Sequence, residues 1–418
     1  MMKRQLLVIG SGGREHAISK KLLNSPLVET VYCLPGNAGM KYDGIKLVNA
    51  SENDQEFIVD FCQKHHINWV FVGPEVPLIE GLVDLLEENN IKAFGPTQRA
   101  AIIEGSKDFS KQLMMKYNIP TAAYQTFTDY KEAIDYLSTQ NFPIVIKADG
   151  LAAGKGVVIA ETFDDAKQAV EDNLLNNVFG SNCPKIVIEE FLVGKEFSLL
   201  SFVGKNIVHP MVVAKDHKAI FDGDKGPNTG GMGVYSPVPY VDEAVYQEAL
   251  KNIVYPTVEA MKKEERLFQG ILYTGLILTK DGPKVIEYNA RFGDPETQVL
   301  LERLETDLVE VIESIFDDKE IDVSWKNRGF DLGVVVSAKG YPGAYDKGKE
   351  LDIQLENNTV NLFFAGVDKK DNHLVSNGGR VFMVESSGET LEEARETVYS
   401  WLSKQPLEEF YYRKDIGK

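Results

Sequence analysis

Two rhythms of apolar and polar positions alternate through the first hundred residues. Short apolar runs at 5–9, 28–33, 68–72 and 91–94 are separated by amphipathic stretches at 15–23, 55–65 and 77–88. Brief apolar runs suit buried strands, and the longer stretches with apolar positions three and four apart suit helices. Residues 77–88 read as one helix, with Pro77 tolerated in its first turn. The four runs end in Gly10-Ser11-Gly12-Gly13, Pro35-Gly36-Asn37, Gly73-Pro74-Glu75 and Gly95-Pro96. This βαβα order predicts a parallel sheet with helices on both faces, and ligands at the carboxyl ends of its strands.

The pattern then changes. Helices are expected at 98–103 and 107–117. A small α/β segment follows from about 120 to 189, with helices 130–139 and 163–170 and strands 143–147, 157–160 and 185–189. Strands at 196–203 and 207–213 lead to a glycine-rich loop over 216–236. Helix 243–262 and strands 271–278 and 284–288 come next. After Trp325 the chain is strand-rich, at 332–338, 361–365 and 380–385, and closes with a helix at 390–402. The fold class is therefore multidomain, α/β at the N-terminus and α+β at the C-terminus.

Composition narrows the choices. With 418 residues, 43% of them hydrophobic, the chain can bury several cores. Its formal net charge of -18 opposes binding to a phosphate backbone, so no nucleic acid partner is expected. Cys33, Cys62 and Cys183 lack metal-site spacing and fit a reducing compartment. The N-terminal apolar run is too short for a signal peptide, and no stretch approaches the ~18 residues of a membrane span. A cytoplasmic protein with no membrane partner is expected.

Four stretches carry candidate chemistry. In Lys147-Ala148-Asp149-Gly150-Leu151-Ala152-Ala153-Gly154-Lys155-Gly156, a strand ends in a lysine and a loop of small residues follows. Such a loop lets backbone N–H groups cradle phosphate, although a plain hairpin turn is the simpler alternative. It is no Walker A loop, because Asp149 and Gly156 break that pattern. In 186–196, a strand, a connector and a second strand suit a purine nucleoside. Backbone groups at Phe191 and Leu192 would meet the base, and Glu196 the ribose. In 285–296, Glu287, Asn289 and Arg291 share a face if the strand persists. A carboxylate and an amide oxygen suit Mg²⁺, and Arg291 suits a phosphoryl group or a carboxylate. The loop 222–233 offers close backbone approach to an anion, against the alternative of a surface loop. The first glycine turn fails the dinucleotide pattern at Glu15, but a helix N-terminus there still suits a phosphate. His16 and His217 lie in candidate site loops, and no histidine has zinc-site spacing.

Together these stretches resemble the phosphoribosylamine–glycine ligase (glycinamide ribonucleotide synthetase) family of the ATP-grasp superfamily. The matching segments are GSGGREHA (10–17), PGNAG (35–39), GPE-x-PL (73–78), FGPT (94–97), EGSK (104–107), KADGLAAGKGVV (147–158), IEEFL-x-G-x-E (188–196), GPNTGGMG-x-YSP (226–237), RFGDPETQ (291–298), GYPG (340–343) and NGGRV (377–381). Ala290 departs from the cysteine expected in many relatives.

The resemblance implies a substrate-binding N-terminal domain (1–103) and an ATP-grasp main lobe (104–122 with 190–325). It also implies a small mobile lobe (123–189) and a C-terminal domain (326–418). It implies that Lys107, Lys147, Gly150, Gly154, Lys155, Gly156, Glu189, Phe191, Leu192 and Glu196 meet ATP, and that Glu287 and Asn289 hold Mg²⁺ or Mn²⁺. Lys147, Arg291 and Asp294 would serve catalysis. The substrate residues would be Gly12, Gly13, Arg14, Glu15, Asn37, Gly73, Pro74, Glu75, Asp216, Asn228, Thr229, Gly230, Gly231, Met232 and Gly233.

The implied reaction activates glycine with ATP as glycyl phosphate and joins it to 5-phosphoribosylamine, in a monomeric enzyme with small-molecule partners only. Another ATP-grasp ligase would share the Lys147 and Glu287 motifs but not the N-terminal turns. A nicotinamide oxidoreductase is opposed by Glu15. A regulatory nucleotide binder is opposed by the intact Lys147, Glu287, Asn289 and Arg291.

Overall fold

The computed structural model describes residues 3–151, 156–178, 180, 184–355 and 359–418. The N-terminal region forms a five-stranded parallel sheet. Its strands lie in the spatial order Lys46–Leu47, Val28–Pro35, Arg4–Gly10, Trp69–Val72, Lys92–Phe94. Buried on both faces, Arg4–Gly10 reads as the near-continuous apolar run typical of parallel strands. The chain order reverses beside this strand, so a crevice opens where Gly10 and Gly73 leave the sheet.

Two expectations fail in this region. The two-residue strand Lys46–Leu47 adds a fifth member to the sheet. Residues 77–88 are two helices, Glu75–Ile79 and Leu82–Glu88, because Gly81 takes a φ of 85° that ends the first.

The helix Lys107–Lys116 is capped by the Ser106 hydroxyl, which accepts from the Phe109 N–H. Such a cap contributes about 1 kcal/mol. The small lobe is a four-stranded antiparallel sheet in the order Tyr124–Phe127, Ile186–Glu190, Ile144–Ala148, Val157–Ala160. Sequence pattern missed Tyr124–Phe127, of which only Phe127 is buried. Helices Tyr130–Leu137 and Phe163–Leu174 begin at Asp129 and at a Thr162–Asp165 capping box. With the sheet they enclose a core of their own, including Ile144, Ile146, Val170 and Ile188.

The main lobe's antiparallel sheet runs Val208–Pro210, Lys195–Val203, Gly270–Thr279, Gly282–Asn289. The strand expected over 207–213 is thus only three residues long. The expected loop over 216–236 is largely ordered as strands. Ala219–Phe221 and Lys225–Asn228 form a hairpin, and Gly233–Ser236 pairs with Phe330–Ala338 in a six-stranded sheet. That sheet also holds Asn361–Phe364 and Arg380–Gly388 and is backed by helix Leu391–Leu402. Apolar residues of the N-terminal, main-lobe and C-terminal regions merge into two continuous clusters, whereas the small lobe's core stands apart. No helix of the described residues is long and apolar enough to cross a membrane.

Candidate active site

The regions surround one cleft of about 580 Å³. At its small-lobe end, Lys147 and Glu189 project from neighbouring antiparallel strands, with Val145 opposite Glu189. Two positions along a strand share a face, so the two side chains meet. Lys147 Nζ lies 3.0 Å from Glu189 Oε1, and Lys111 Nζ lies 3.0 Å from Oε2. Lys147 also donates to the Ile286 carbonyl at 2.9 Å, tying the small lobe to the main lobe. One helical turn before Lys111, Lys107 donates to the Gly150 carbonyl at 2.8 Å. Burial pushes the Lys111 ammonium down to about 8, against the pull of Glu189, and lowers Lys107 as well. Gly150, Leu151, Gly156, Phe191, Leu192 and Glu196 complete this end of the wall. Gly154 and Lys155 lie outside the described residues.

In the middle of the cleft, Glu287 sits near the end of Gly282–Asn289, with Lys218 Nζ 3.2 Å from its carboxylate. Lys218 above all, then Lys147 and Lys107, hold that carboxyl down to about 2 despite burial. Asn289 follows two residues on, its amide nitrogen oriented 3.1 Å from Glu104 Oε1. The strand stops at Asn289, so Arg291 does not continue its face as expected. Arg291 lies in the following turn, 3.2 Å from Glu75 Oε2 and 2.9 Å from Glu104 Oε1. Those two carboxylates keep its charge despite burial. Among the described residues no three His, Cys, Asp or Glu side chains cluster as a metal site. A divalent cation here would rest on Glu287, Asn289 and ligand oxygens, which is the way Mg²⁺ is commonly held beside phosphates.

Asp294 also borders the cleft, but its carboxylate acts as a brace. Its Oδ1 lies 3.2 Å from Arg380 and 3.1 Å from Gln298 Nε2, and its Oδ2 accepts from the Arg14 N–H at 3.4 Å. Arg380 and Arg14 outweigh burial and keep the Asp294 carboxyl below its usual range.

At the N-terminal end, the glycine turn enters helix Gly13–Leu23. The residue that breaks the dinucleotide pattern is the one that holds this turn. Glu15 accepts from the Gly12 N–H at 2.8 Å and from Arg14 Nε at 2.5 Å. Gly12, Arg14, Glu15, Pro74 and Glu75 line the cleft, as do Asp216, Asn228, Thr229 and Gly230.

Other expected substrate residues stand behind the wall. Asn37 donates to the Ser11 and Phe364 carbonyls at 2.8 and 2.9 Å, pinning the turn to the C-terminal sheet. At Gly73 an added Cβ would stand 2.7 Å from the Ile9 carbonyl oxygen, and Gly13 packs on Gln298. Gly231 packs on Pro295, and Met232 and Gly233 are buried as the chain enters the C-terminal sheet. Both histidines miss the cleft. His16 is buried, accepting at Nδ1 from the Phe364 N–H at 2.8 Å and facing Asp43 Oδ2 from Nε2 at 2.9 Å. Burial pushes His217 down to about 4.

Sequence reasoning missed Lys111, Lys218, Glu104, Tyr273, Glu296 and Arg380 in the wall. Lys218 was accessible by alternation from Asp216, and Lys111 by helical spacing from Lys107. Glu104 and Glu296 matter through partners remote in the chain.

The chain matches known proteins along its length. Family models described as phosphoribosylglycinamide synthetase N domain, ATP-grasp (A) domain and C domain match residues 4–104, 105–297 and 331–418. The chain is 55% identical over 417 residues to the phosphoribosylamine–glycine ligase of Listeria monocytogenes, covering 99% of each. It is 50% identical over 415 residues to that of Streptococcus pneumoniae, again covering 99% of each. The crystal structure of phosphoribosylamine–glycine ligase from Thermotoga maritima superposes with a TM-score of 0.87 at 34% identity, over 99% of this chain and 100% of that one. A biotin carboxylase domain from Hydrogenobacter thermophilus shares the fold, with a TM-score of 0.77 at 15% identity over 99% and 92% of the two chains.

Proposed function

The chain belongs to the phosphoribosylglycinamide synthetase family, and from that premise we propose how its cleft performs the family's reaction, the ATP-dependent joining of glycine to 5-phosphoribosylamine in purine biosynthesis. It is an ADP-forming carbon–nitrogen ligase with an ATP-grasp core. We assign residues 1–103 to substrate binding, 104–122 with 190–325 to the main lobe, 123–189 to the small lobe, and 326–418 to the C-terminal domain. The enzyme works as a cytoplasmic monomer.

Adenosine lies between the lobes, against Glu189, the connector at Phe191 and Leu192, and Glu196. Lys107, Lys147 and the 150–156 loop meet the phosphates, with Gly154 and Lys155 in that loop. Glu287 and Asn289 would hold Mg²⁺ or Mn²⁺, which neutralises charge on the transferring phosphoryl group. The donor set fits, because an ionised carboxylate and a carboxamide leave room for phosphate oxygens and water. The N-terminal turns and Asn228-Thr229-Gly230 take 5-phosphoribosylamine. Asn37, Gly13, Gly73, Gly231, Met232 and Gly233 shape that region from behind.

Glycine's carboxylate repels nucleophiles and has no good leaving group. A carboxylate oxygen therefore attacks the γ-phosphorus, the bond to the β-phosphate oxygen breaks, and ADP leaves glycyl phosphate. Lys147 and Arg291 face the charge that develops, where preorganised cations act most strongly. Asp294 holds Arg380 and the glycine turn in register. The 1-amine then attacks the acyl carbon, a C–N bond forms, phosphate departs, and the amine loses a proton. The enclosing lobe keeps water from the acyl phosphate.

The observation that carries this reading is the convergence of Lys107, Lys147, Glu287, Asn289 and Arg291 on one cleft. Glycine labelled with ¹⁸O in its carboxylate tests it. Transfer of one ¹⁸O to the released phosphate is expected, and unlabelled phosphate would exclude the glycyl phosphate step.

A further inference from the structure

The hairpin of Ala219–Phe221 and Lys225–Asn228 is held from outside the cleft. A two-stranded ribbon is marginal in water by itself, and the second strand of this one is exposed along its whole length. Yet both of its ends reach the cleft. Lys218 precedes it, with its amine 3.2 Å from the Glu287 carboxylate, and Asn228-Thr229-Gly230 follows in the cleft wall. The Lys218 carbonyl accepts from the Thr229 N–H and from the Thr229 hydroxyl, each at 2.8 Å, so the two ends are tied together.

The turn of the hairpin is gripped by the last residues of the chain. Arg413 does not line the cleft, and its side chain is 1% exposed. Its guanidinium donates to both oxygens of Asp415 at 2.8 Å, to Asp224 at 2.8 Å and to the Ala219 carbonyl at 3.0 Å. Asp415 in turn accepts from the Gly223 N–H at 2.7 Å, and Asp222 from the Lys414 N–H at 2.8 Å. This tail is itself anchored. Tyr399 of helix Leu391–Leu402 donates to the Arg413 carbonyl at 2.8 Å, and Phe410–Tyr411 pairs with Phe330–Ala338. Burial opposes the Arg413 charge, and Asp415 and Asp224 outweigh it.

We propose that Arg413 and Asp415, outside the cleft, are positioning residues for 5-phosphoribosylamine, because they set the hairpin whose end presents Asn228-Thr229-Gly230. This inference rests on the reading that this loop takes 5-phosphoribosylamine, and it goes further by placing the control of the loop in the C-terminal tail. A planar guanidinium bonded to two carboxylates and a carbonyl fixes direction as well as distance. The bond to Ala219 lies one residue from Lys218, and the bonds to Asp224 and Gly223 hold the turn from the opposite end. A shift of about 1 Å transmitted from a site remote from the chemistry can cost about 10²-fold in rate, so a strap of this kind acts on the reaction without touching a substrate.

The test uses full-length R413M, R413K, D415N and N228A, checked for folding by thermal melts. R413M should raise the KM for 5-phosphoribosylamine about tenfold or more, the value of a charged hydrogen bond, and leave the KM for ATP within about twofold. R413K keeps the charge but not the fork and should fall between R413M and wild type. D415N removes a negative charge, so simple attraction of the substrate's phosphate would lower its KM. Loss of the grip on the hairpin should instead raise it about threefold or more. If R413M fails to fold, D415N carries the same test. An unchanged KM for 5-phosphoribosylamine in R413M, an equal rise for ATP, wild-type kinetics in R413K, or a lowered KM in D415N would overturn the inference. N228A separates the two levels. A raised KM in N228A beside an unchanged one in R413M rejects the strap alone, whereas an unchanged KM in both sinks the assignment of the loop.

Discussion

Glu189 and Glu296 line one cleft and are buried to the same degree, 3% and 2% exposed. Glu189 has two lysines at 3.0 Å, drawn from a helix and a neighbouring strand. Glu296 has hydroxyl partners and a second carboxylate nearby. The charge of Glu189 is thus balanced by two lysines of the protein itself. Glu296 forms no ion pair among the described residues, although the charge of Lys218 reaches it. A carboxylate paired with cations is held ionised, whereas one beset by burial and a second carboxylate is pushed toward its neutral form.

The strongest way to break this contrast is to unbalance the nucleotide end. Lys147→Met removes a cation from both Glu189 and the phosphate path, and kcat should fall about 10²–10³-fold in a phosphate-release assay. A loss below about tenfold would mean that Lys147 serves only the ion pair. Glu287→Ala should raise the Mg²⁺ concentration for half-maximal rate by at least about tenfold while the protein stays folded. Lys218 depresses the Glu287 carboxyl to about 2, so this group stays ionised across the working range. Its contribution to stability is present above the ordinary carboxylate range and is lost only as pH falls toward 2.

Lys111 sharpens the comparison more gently. Lys111→Met should raise the KM for ATP about tenfold and spare that for glycine. Its ammonium, lowered to about 8 by burial, is lost as pH rises, so the wild-type KM for ATP should climb above about pH 8. Lys111→Arg, which stays charged, should flatten that climb. An identical alkaline rise in the arginine variant would assign it to another group.

The smallest effect on activity belongs to His16, which does not line the cleft and ties the N-terminal region to the C-terminal sheet. His16→Ala should cost about 1–3 kcal/mol in urea unfolding and leave kcat within about twofold. Burial lowers its pKa below 6.5. The unfolded chain therefore takes up the proton first, and wild-type stability should decline as pH drops below 6.5 more steeply than that of the variant.

The legible parts of the fold and site share a physical character. Parallel strands such as Arg4–Gly10 announce themselves because both faces are buried, and helices 107–116 and 163–174 because caps and periodicity are local. Residues 216–236 were opaque because Lys225-Gly226-Pro227-Asn228 has little strand propensity of its own. The hairpin is held by Arg413, which donates to the Ala219 carbonyl at 3.0 Å and pairs with Asp224 at 2.8 Å. Gly233–Ser236 finds its partner strand about a hundred residues later. Lys147, Glu287 and Asn289 were readable as motifs. Glu296 was not, since the hydroxyls of Ser198 and Tyr273 that it meets are remote in the chain. Asp294 was read as catalytic and Asn37 as substrate-binding from the resemblance, and their bonds to Arg380 and to the Phe364 carbonyl were not legible because those partners are remote in the chain.

The central claim is that one cleft carries the ATP-dependent joining of glycine to 5-phosphoribosylamine. Phosphate release measured with glycine and 5-phosphoribosylamine omitted in turn tests it most directly. Full turnover is predicted only when both accompany Mg-ATP, and an undiminished rate without glycine would contradict the account.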